Sequence, residues 1–239
     1  MSESSKDYFK YLYEKQTKNN FEIFNYNVTY GIEHFSLKNK KILDIGCGAG
    51  WKTMYYAIFG GAKEVIGIDN YIGEGSEIEN KERIFPNIKK LNIPNIKIIV
   101  DDFLTHEFPK EEFDVIFASS VLHHLYYSTK RASKSKNVFN EYLKIFEKIY
   151  SYLKLGGLFY LHECQKYSFS QIIPLWKNPI EWKTKQMASD WIKIMERTGF
   201  KNICLNYYVP YKLRRLKKLL NNWFANYLLK AVYVITAQK

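Results

Sequence analysis

The sequence predicts an α/β fold: a mainly parallel sheet covered by helices on both faces, preceded by a small helical cap. Two observations carry this. Short apolar runs of strand length alternate with longer segments of helical periodicity, the pattern of strand–helix–strand units. The runs also end in glycines, acids or serines, which suits strands whose carboxyl ends open into turns. At 239 residues, 46% hydrophobic and 17% aromatic, the chain can build one sizeable core and suits a single domain.

The elements follow in order. Over residues 1–35 aromatics recur every three or four positions (Tyr8, Phe9, Tyr11, Leu12, Tyr13, then Phe21, Ile23, Phe24, Tyr26), predicting short amphipathic helices that cap a larger body. Residues 36–165 read as a core. Its first strand is Lys41–Ile45, followed by a helix from Ala49 to about Phe59 that ends at Gly60-Gly61. The second strand is Glu64–Asp69. A helix from about Gly75 to Leu91 carries Pro86, which predicts a break or kink. Ile96–Val100 and Phe113–Ser119 are the third and fourth strands. Ser128–Asn137 is polar and basic, an expected exposed loop. Val138, Tyr142, Ile145, Phe146, Ile149 and Leu153 mark one face of a long helix, stopped by Gly156-Gly157, and Leu158–His162 is the fifth strand. Residues 166–239 read as a substrate-side insertion and closing strands. They hold a helix at Met187–Arg197, a strand pair at Ile203–Val209 and Ala231–Ala237, and a basic helical segment near Lys212–Asn222.

Charge and cysteines bound the setting. The net charge of +12 favours acidic partners, such as nucleic acid, anionic lipid or a phosphorylated metabolite, although lysine-rich codon bias explains much of it. Cys47, Cys164 and Cys204 form no CxxC pair, as expected in a reducing compartment. No secretory leader and no apolar run of the roughly 18–20 residues needed to span a bilayer is evident. The expectation is a soluble, cytoplasmic protein of undetermined oligomeric state.

The chemistry converges on residues 42–50, Ile-Leu-Asp-Ile-Gly-Cys-Gly-Ala-Gly. A strand ending in a glycine turn and opening a helix lets a ligand lie against bare backbone, as adenosine-containing cofactors do. Asp44, among Ile42, Leu43 and Ile45, is costly to bury unless a charged or hydrogen-bonding group meets it. Asp69, 19 positions beyond Gly50, is placed to accept from both ribose hydroxyls. Asp102 can accept from the exocyclic adenine amine, with Phe103 offering a ring face. A pyrophosphate would be repelled by the extra carboxylate at Asp44. A ligand with ribose, adenine and an ammonium but no phosphate satisfies all three acids, and S-adenosyl-L-methionine is that ligand.

In these residues the chain resembles the class I S-adenosylmethionine-dependent methyltransferases, in their broad small-molecule group. The matching segments are ILDIGCGAG (42–50), VIGIDN (65–70), VDDF (100–103), DVIFASSVLHHL (114–125) and LKLGGLFYLHE (153–163). The resemblance implies a Rossmann-like seven-stranded sheet whose last strand is antiparallel. It implies that Gly46, Gly48 and Gly50 line the methionine and ribose, with Asp44 near the amino group and Cys47 a small side chain within the turn. Asp69 would hold the ribose with Asn70 beside it, Asp102 and Phe103 would flank adenine, and Ser119 would sit near the sulfonium. Asp101 stands where many relatives have glycine, which leaves open which of Asp101 and Asp102 meets adenine. S-adenosyl-L-homocysteine would be the product.

Methyl transfer from a sulfonium needs alignment above all, and a hydroxyl acceptor also benefits from a base. His123 and His124 follow the fourth strand, and either suits that role at neutral pH. His162 and Glu163 end the fifth strand. The same four residues can ligate metals, but adjacent histidines seldom share one ion, and no metal is expected. The basic segments 130–136 and 212–218 are candidates for holding an anion of the acceptor. The leading expectation is O-methylation of a small polar or phosphate-bearing metabolite such as a sugar derivative. RNA or protein methylation is the alternative; an NAD-dependent oxidoreductase and a non-catalytic cofactor-binding subunit lie further off. Ala118-Ser119-Ser120-Val121 stands where many nitrogen-directed enzymes carry Asn-Pro-Pro-Tyr.

Overall fold

The computed structural model describes residues 3–72, 78–172 and 182–239, and divides at Phe117/Ala118 into two compact units. The first begins with α1 (Glu3–Thr17) and α2 (Phe21–Thr29), the latter capped by the Asn20 side chain, which accepts from the Ile23 N–H. It continues through β1 (Lys41–Ile45), α3 (Trp51–Ile58), β2 (Glu64–Asp69), α4 (Ile78–Leu91), β3 (Ile96–Val100) and most of β4 (Phe113–Ser119). β1 and β2 pair in parallel, Ile42 against Val65, and β2 pairs in parallel with β3, Val65 against Ile96. The cap is an aromatic cluster. Phe9 meets Trp51 and Phe59 edge-on at 5.6 Å, and Tyr13 stacks on Phe24 at 4.3 Å. This apolar contact is what holds α1 and α2 against α3.

The second unit runs from the end of β4 through α5 (Leu122–Leu125), a 3₁₀ turn at Ala132–Lys134, α6 (Lys136–Tyr152) and β5 (Leu153–Cys164). It then has a 3₁₀ turn at Phe169–Ile172, α7 (Ala188–Thr198), β6 (Lys201–Tyr207), a 3₁₀ turn at Tyr211–Leu216, α8 (Lys217–Leu220), α9 (Trp223–Leu229) and β7 (Val232–Gln238). β7 pairs antiparallel with β5, Tyr233 opposite Glu163, and with β6, Tyr233 opposite Tyr207. The seven strands are ordered β3-β2-β1-β4-β5-β7-β6, a mostly parallel sheet closed by antiparallel strands.

Several boundaries differ from expectation. Gly156-Gly157 does not stop α6, which ends at Tyr152; the pair lies inside β5. There Gly156 adopts φ 74°, and its N–H donates to the Lys239 carbonyl at 3.0 Å, so a glycine-shaped irregularity sits within a paired strand. Pro86 is accommodated inside α4, with no break in the helix. The start expected near Gly75 lies outside the described residues. The basic stretch 128–137 is not simply an exposed loop, because Ser128 and Ala132 are buried and α6 already begins at Lys136. The 212–222 segment is divided between a 3₁₀ turn and α8, and α9 follows it.

Candidate functional site

In the first unit the site is the turn between β1 and α3 together with the ends of β2 and β3. Gly46 (φ 68°), Gly48 (φ 50°) and Gly50 (φ 73°) all lie in the left-handed region, which explains the glycine at each position. The turn is tied to β2, since the Gly46 N–H donates to the Ile68 carbonyl at 2.8 Å. Gly50 has a second reason: a Cβ there would stand 2.2 Å from Ile84 Cδ1, so its bare backbone admits α4. The expected role of Gly50 as cofactor lining is thus joined by one of helix packing.

Asp44 is 2% exposed, and Thr53 Oγ1 donates to its Oδ2 at 2.7 Å. Burial raises its pKa to about 6, against the lowering effects of the Thr53 bond and the Lys52 charge, while Asp69 adds a smaller upward push. Asp69 is buried and accepts from two backbone donors, the Gly48 N–H on Oδ2 and the Tyr71 N–H on Oδ1, each at 2.8 Å. Asn70 Oδ1 accepts from the Ile72 N–H at 3.0 Å, shaping the turn beside it.

Tyr71 is the residue that sequence reasoning missed here. It holds φ 55°, its hydroxyl donates to the Gly48 carbonyl at 3.2 Å, and it lies 3.7 Å from Cys47 Sγ. One buried phenol thus pins the glycine turn from above. Its only sequence signal was a tyrosine following Asp69-Asn70. Burial drives the Cys47 thiol well above its ordinary range, which leaves it a protonated packing group.

At the end of β3 the two acids separate in role. Asp101 uses both oxygens locally, Oδ2 with His106 Nδ1 and Oδ1 with the Asp102 N–H, each at 2.8 Å. The His106 bond lowers its carboxyl pKa. Asp102 accepts on Oδ1 from the Leu104 N–H at 2.8 Å. Phe103, expected to offer a ring face to adenine, is 3% exposed.

The second unit carries the other sequence-predicted residues. Ser119 Oγ is buried, with no hydrogen-bond partner among the described residues, at the carboxyl end of β4. Ser120 follows in the left-handed region (φ 56°), its N–H donating to the His162 carbonyl at 2.8 Å. α5 then presents two histidines with different fates. His123 is 1% exposed, with Nδ1 2.9 Å from Glu163 Oε1 and Nε2 against Lys185 Nζ. The ring thus bridges the Glu163 carboxylate on one side and the Lys185 amine on the other. Burial alone would raise the Glu163 carboxyl. The charge and hydrogen bond of His123, together with Lys185, instead hold it below its usual value.

Both ring nitrogens of His123, expected beside His124 as a candidate base, are engaged in a buried chain with Glu163 and Lys185. His124 remains exposed, its ring centroid 3.9 Å from that of His123. Crowding by surrounding atoms, then the nearby His123 and Lys185, push its pKa down to about 4, so it is neutral at pH 7.

Lys185 was not read from the sequence, because it sits in an irregular polar run, Trp182-Lys-Thr-Lys-Gln-Met187, with no periodicity. Its segment is clamped by buried polar contacts. Arg131 grips Asp190 through Nε at 2.9 Å and Nη2 at 3.0 Å, and Gln186 Oε1 accepts from the Ala132 N–H at 2.8 Å. Arg131 therefore does not serve as a free anion ligand, as expected of the 130–136 stretch.

With the geometry in place, comparison with known proteins decides the family. A family model described as "Methyltransferase domain" matches residues 36–218. This chain belongs to the class I S-adenosylmethionine-dependent methyltransferases. The (S)-coclaurine N-methyltransferase of Papaver somniferum is 31% identical over 128 residues, covering 53% of this chain and 30% of that protein. A phosphoethanolamine N-methyltransferase of Plasmodium falciparum is 35% identical over 122 residues, 50% of this chain and 37% of that one. The methyltransferase domain thus spans about a third of the length of these curated relatives. A crystal structure described as a SAM-dependent methyltransferase from Aquifex aeolicus superposes with a TM-score of 0.62 at 16% identity, covering 93% of this chain and 95% of that one, a likeness of fold.

The residues fit S-adenosylmethionine. The left-handed glycine turn leaves backbone bare, and Asp44 is a buried carboxylate suited to an ammonium.

Proposed function

We propose that this methyltransferase domain transfers a methyl group from S-adenosylmethionine to an oxygen of a small polar metabolite. The observation that carries the cofactor assignment is Asp44, a buried carboxyl raised to about 6 whose cost a bound ammonium would offset. When bound, the cofactor supplies an electrophilic methyl group. In this reading the chain's own residues do the rest. Asp44 meets the ammonium and Asp69 the ribose hydroxyls. Asp102, rather than the locally engaged Asp101, accepts from the adenine amine, and Ser119 offers its hydroxyl near the sulfur. His124, neutral and exposed, accepts the hydrogen bond of the acceptor hydroxyl and takes its proton as the new bond forms. Glu163, His123 and Lys185 act as positioning residues, holding α5 so that the His124 ring keeps its place.

A second reading, methylation of an amine, is favoured by the names of the relatives, which include a coclaurine and a phosphoethanolamine N-methyltransferase. The test is a transfer screen with radiolabelled methyl donor over small hydroxyl, amine and phosphate-bearing compounds, with RNA and protein in parallel. The reading predicts label in small-molecule products, joined to oxygen. It also predicts that His124→Ala lowers kcat by about 10²–10⁴-fold while cofactor affinity is kept. Label found only in RNA or protein would overturn the small-molecule assignment. Label on nitrogen with full turnover by His124→Ala would replace the oxygen assignment with the amine one.

A further inference from the structure

The surface formed by residues 211–230 departs from what a solvated face requires. α9 turns its polar residue inward and its apolar residues outward. Asn226 is fully buried, with Nδ2 directed at the Tyr208 and Val232 carbonyls, and Ala225 is buried beside it. Trp223, Phe224 and Leu228 are 48%, 63% and 43% exposed. At 100° per residue these three, with the half-buried Tyr227, occupy one continuous arc of the helix, and Trp223 and Tyr227 stack at 5.6 Å. Just before α9, Leu216 and Leu219 are 48% and 71% exposed. A surface helix normally shows the reverse pattern, and clustered exposed apolar groups mark an interaction site.

This exposure does not come from a loosely held segment. Asn222 caps α9, its Oδ1 accepting from the Ala225 N–H at 3.0 Å. Asn221 Oδ1 accepts from the Tyr207 N–H at 2.7 Å, anchoring the approach to β6. The apolar face is displayed on a fixed support.

The charge around it identifies the partner. Residues 197–239 contain nine Lys and Arg and no Asp or Glu, and Lys212, Arg214, Arg215 and Lys218 are exposed among the leucines. A second copy of the chain would set these like charges against each other. Nucleic acid matches the cations, but four exposed leucines (Leu216, Leu219, Leu228, Leu229) give it nothing to recognise. A surface that is anionic at headgroup level and apolar just beneath matches both halves of the pattern. No helix among the described residues is long and apolar enough to cross a membrane, so contact would be peripheral.

We propose that the 211–230 face docks on an anionic lipid bilayer, with Trp223, Phe224 and Leu228 entering the interface and Lys212, Arg215 and Lys218 meeting the headgroups. The binding is reversible and salt-sensitive, because one short apolar face plus a few cations is a modest anchor.

The test is flotation of the full chain with vesicles of phosphatidylcholine alone or with about a third phosphatidylglycerol. The protein should float with the anionic vesicles and stay behind with the neutral ones. Trp223→Ser with Phe224→Ser should abolish flotation, and Lys212→Gln with Lys218→Gln should weaken it about 25-fold, about fivefold for each cation. Circular dichroism melting curves of both variants should match the parent, since all four side chains are exposed. No flotation with anionic vesicles would overturn the proposal, as would flotation undiminished in a folded Trp223→Ser, Phe224→Ser variant. Gel-shift with an RNA oligonucleotide and light scattering, run alongside, would in that case name nucleic acid or a second copy as the occupant.

Discussion

Replacing Asp44 by Asn should stabilise the unliganded protein while destroying its grip on the cofactor. Asn keeps an oxygen for the Thr53 hydroxyl, 2.7 Å away, and removes only the charge. The carboxyl is 2% exposed and rises from 3.8 to about 6 on folding. A shift of about 2 units at 1.36 kcal/mol each is up to about 3 kcal/mol of folding free energy lost by ionising Asp44 at pH 7. The sign follows from the raised pKa: the folded state holds the proton more tightly, so this cost is absent below pH about 4 and complete above about 6. Asp44→Asn should therefore raise stability at pH 7 by up to about 3 kcal/mol, and by almost nothing at pH 4. Losing the partner of a buried ammonium should weaken cofactor binding by at least about 100-fold. Denaturant unfolding at the two pH values, paired with calorimetric titration of S-adenosylmethionine, measures both effects. A destabilised variant, or one that binds the cofactor as the parent does, would refute the reasoning.

Other outcomes follow from the same geometry. Cofactor affinity should fall about tenfold per pH unit below pH about 6 as Asp44 gains its proton, whereas kcat at saturating cofactor should hold down to nearly pH 4, where His124 protonates; pH profiles of Kd and kcat separate the two. Gly50→Ala would place a methyl 2.2 Å from Ile84 Cδ1 on a backbone at φ 73°, and should cost about 2–3 kcal/mol in denaturant unfolding. Lys185→Met removes the cation from the buried chain that runs through His123 to Glu163 and should cost about 3–5 kcal/mol. Where the folded variant is recovered, its His124 pKa should rise, because a neighbouring cation is gone, and histidine proton NMR reads that shift.

How much of this was legible in the sequence depends on what each residue answers to. The first four strands match residue for residue, because each is a short, mostly apolar run bounded by turn residues, and their neighbours add nothing that changes the reading. The start of β5 was missed for a specific reason. Gly156-Gly157 carries the local signal of a helix stop, while its actual role is a left-handed step within a strand, set by pairing to Lys239 some 80 positions later. The candidate site divides the same way. Asp44, Gly46, Gly48 and Asp69 sit on one strand–turn–helix–strand unit, so spacing alone brings them into register. Lys185 lies 62 positions from His123, and only the folded chain brings the two together. Histidine chemistry left His123 and His124 indistinguishable; burial and hydrogen bonding separate them, engaging the first and leaving the second neutral and exposed. α9 inverts the usual pattern, with Asn226 inside and Trp223 outside, so periodicity could not announce it.

In the proposed function the glycine turn and its acids hold a sulfonium nucleoside. Calorimetric titration of the purified chain with S-adenosylmethionine, S-adenosylhomocysteine and NAD tests this most directly. Saturable binding of the first two at one site per chain, with no heat from NAD, is the predicted result. Binding of NAD alone, or of none of the three, would contradict it.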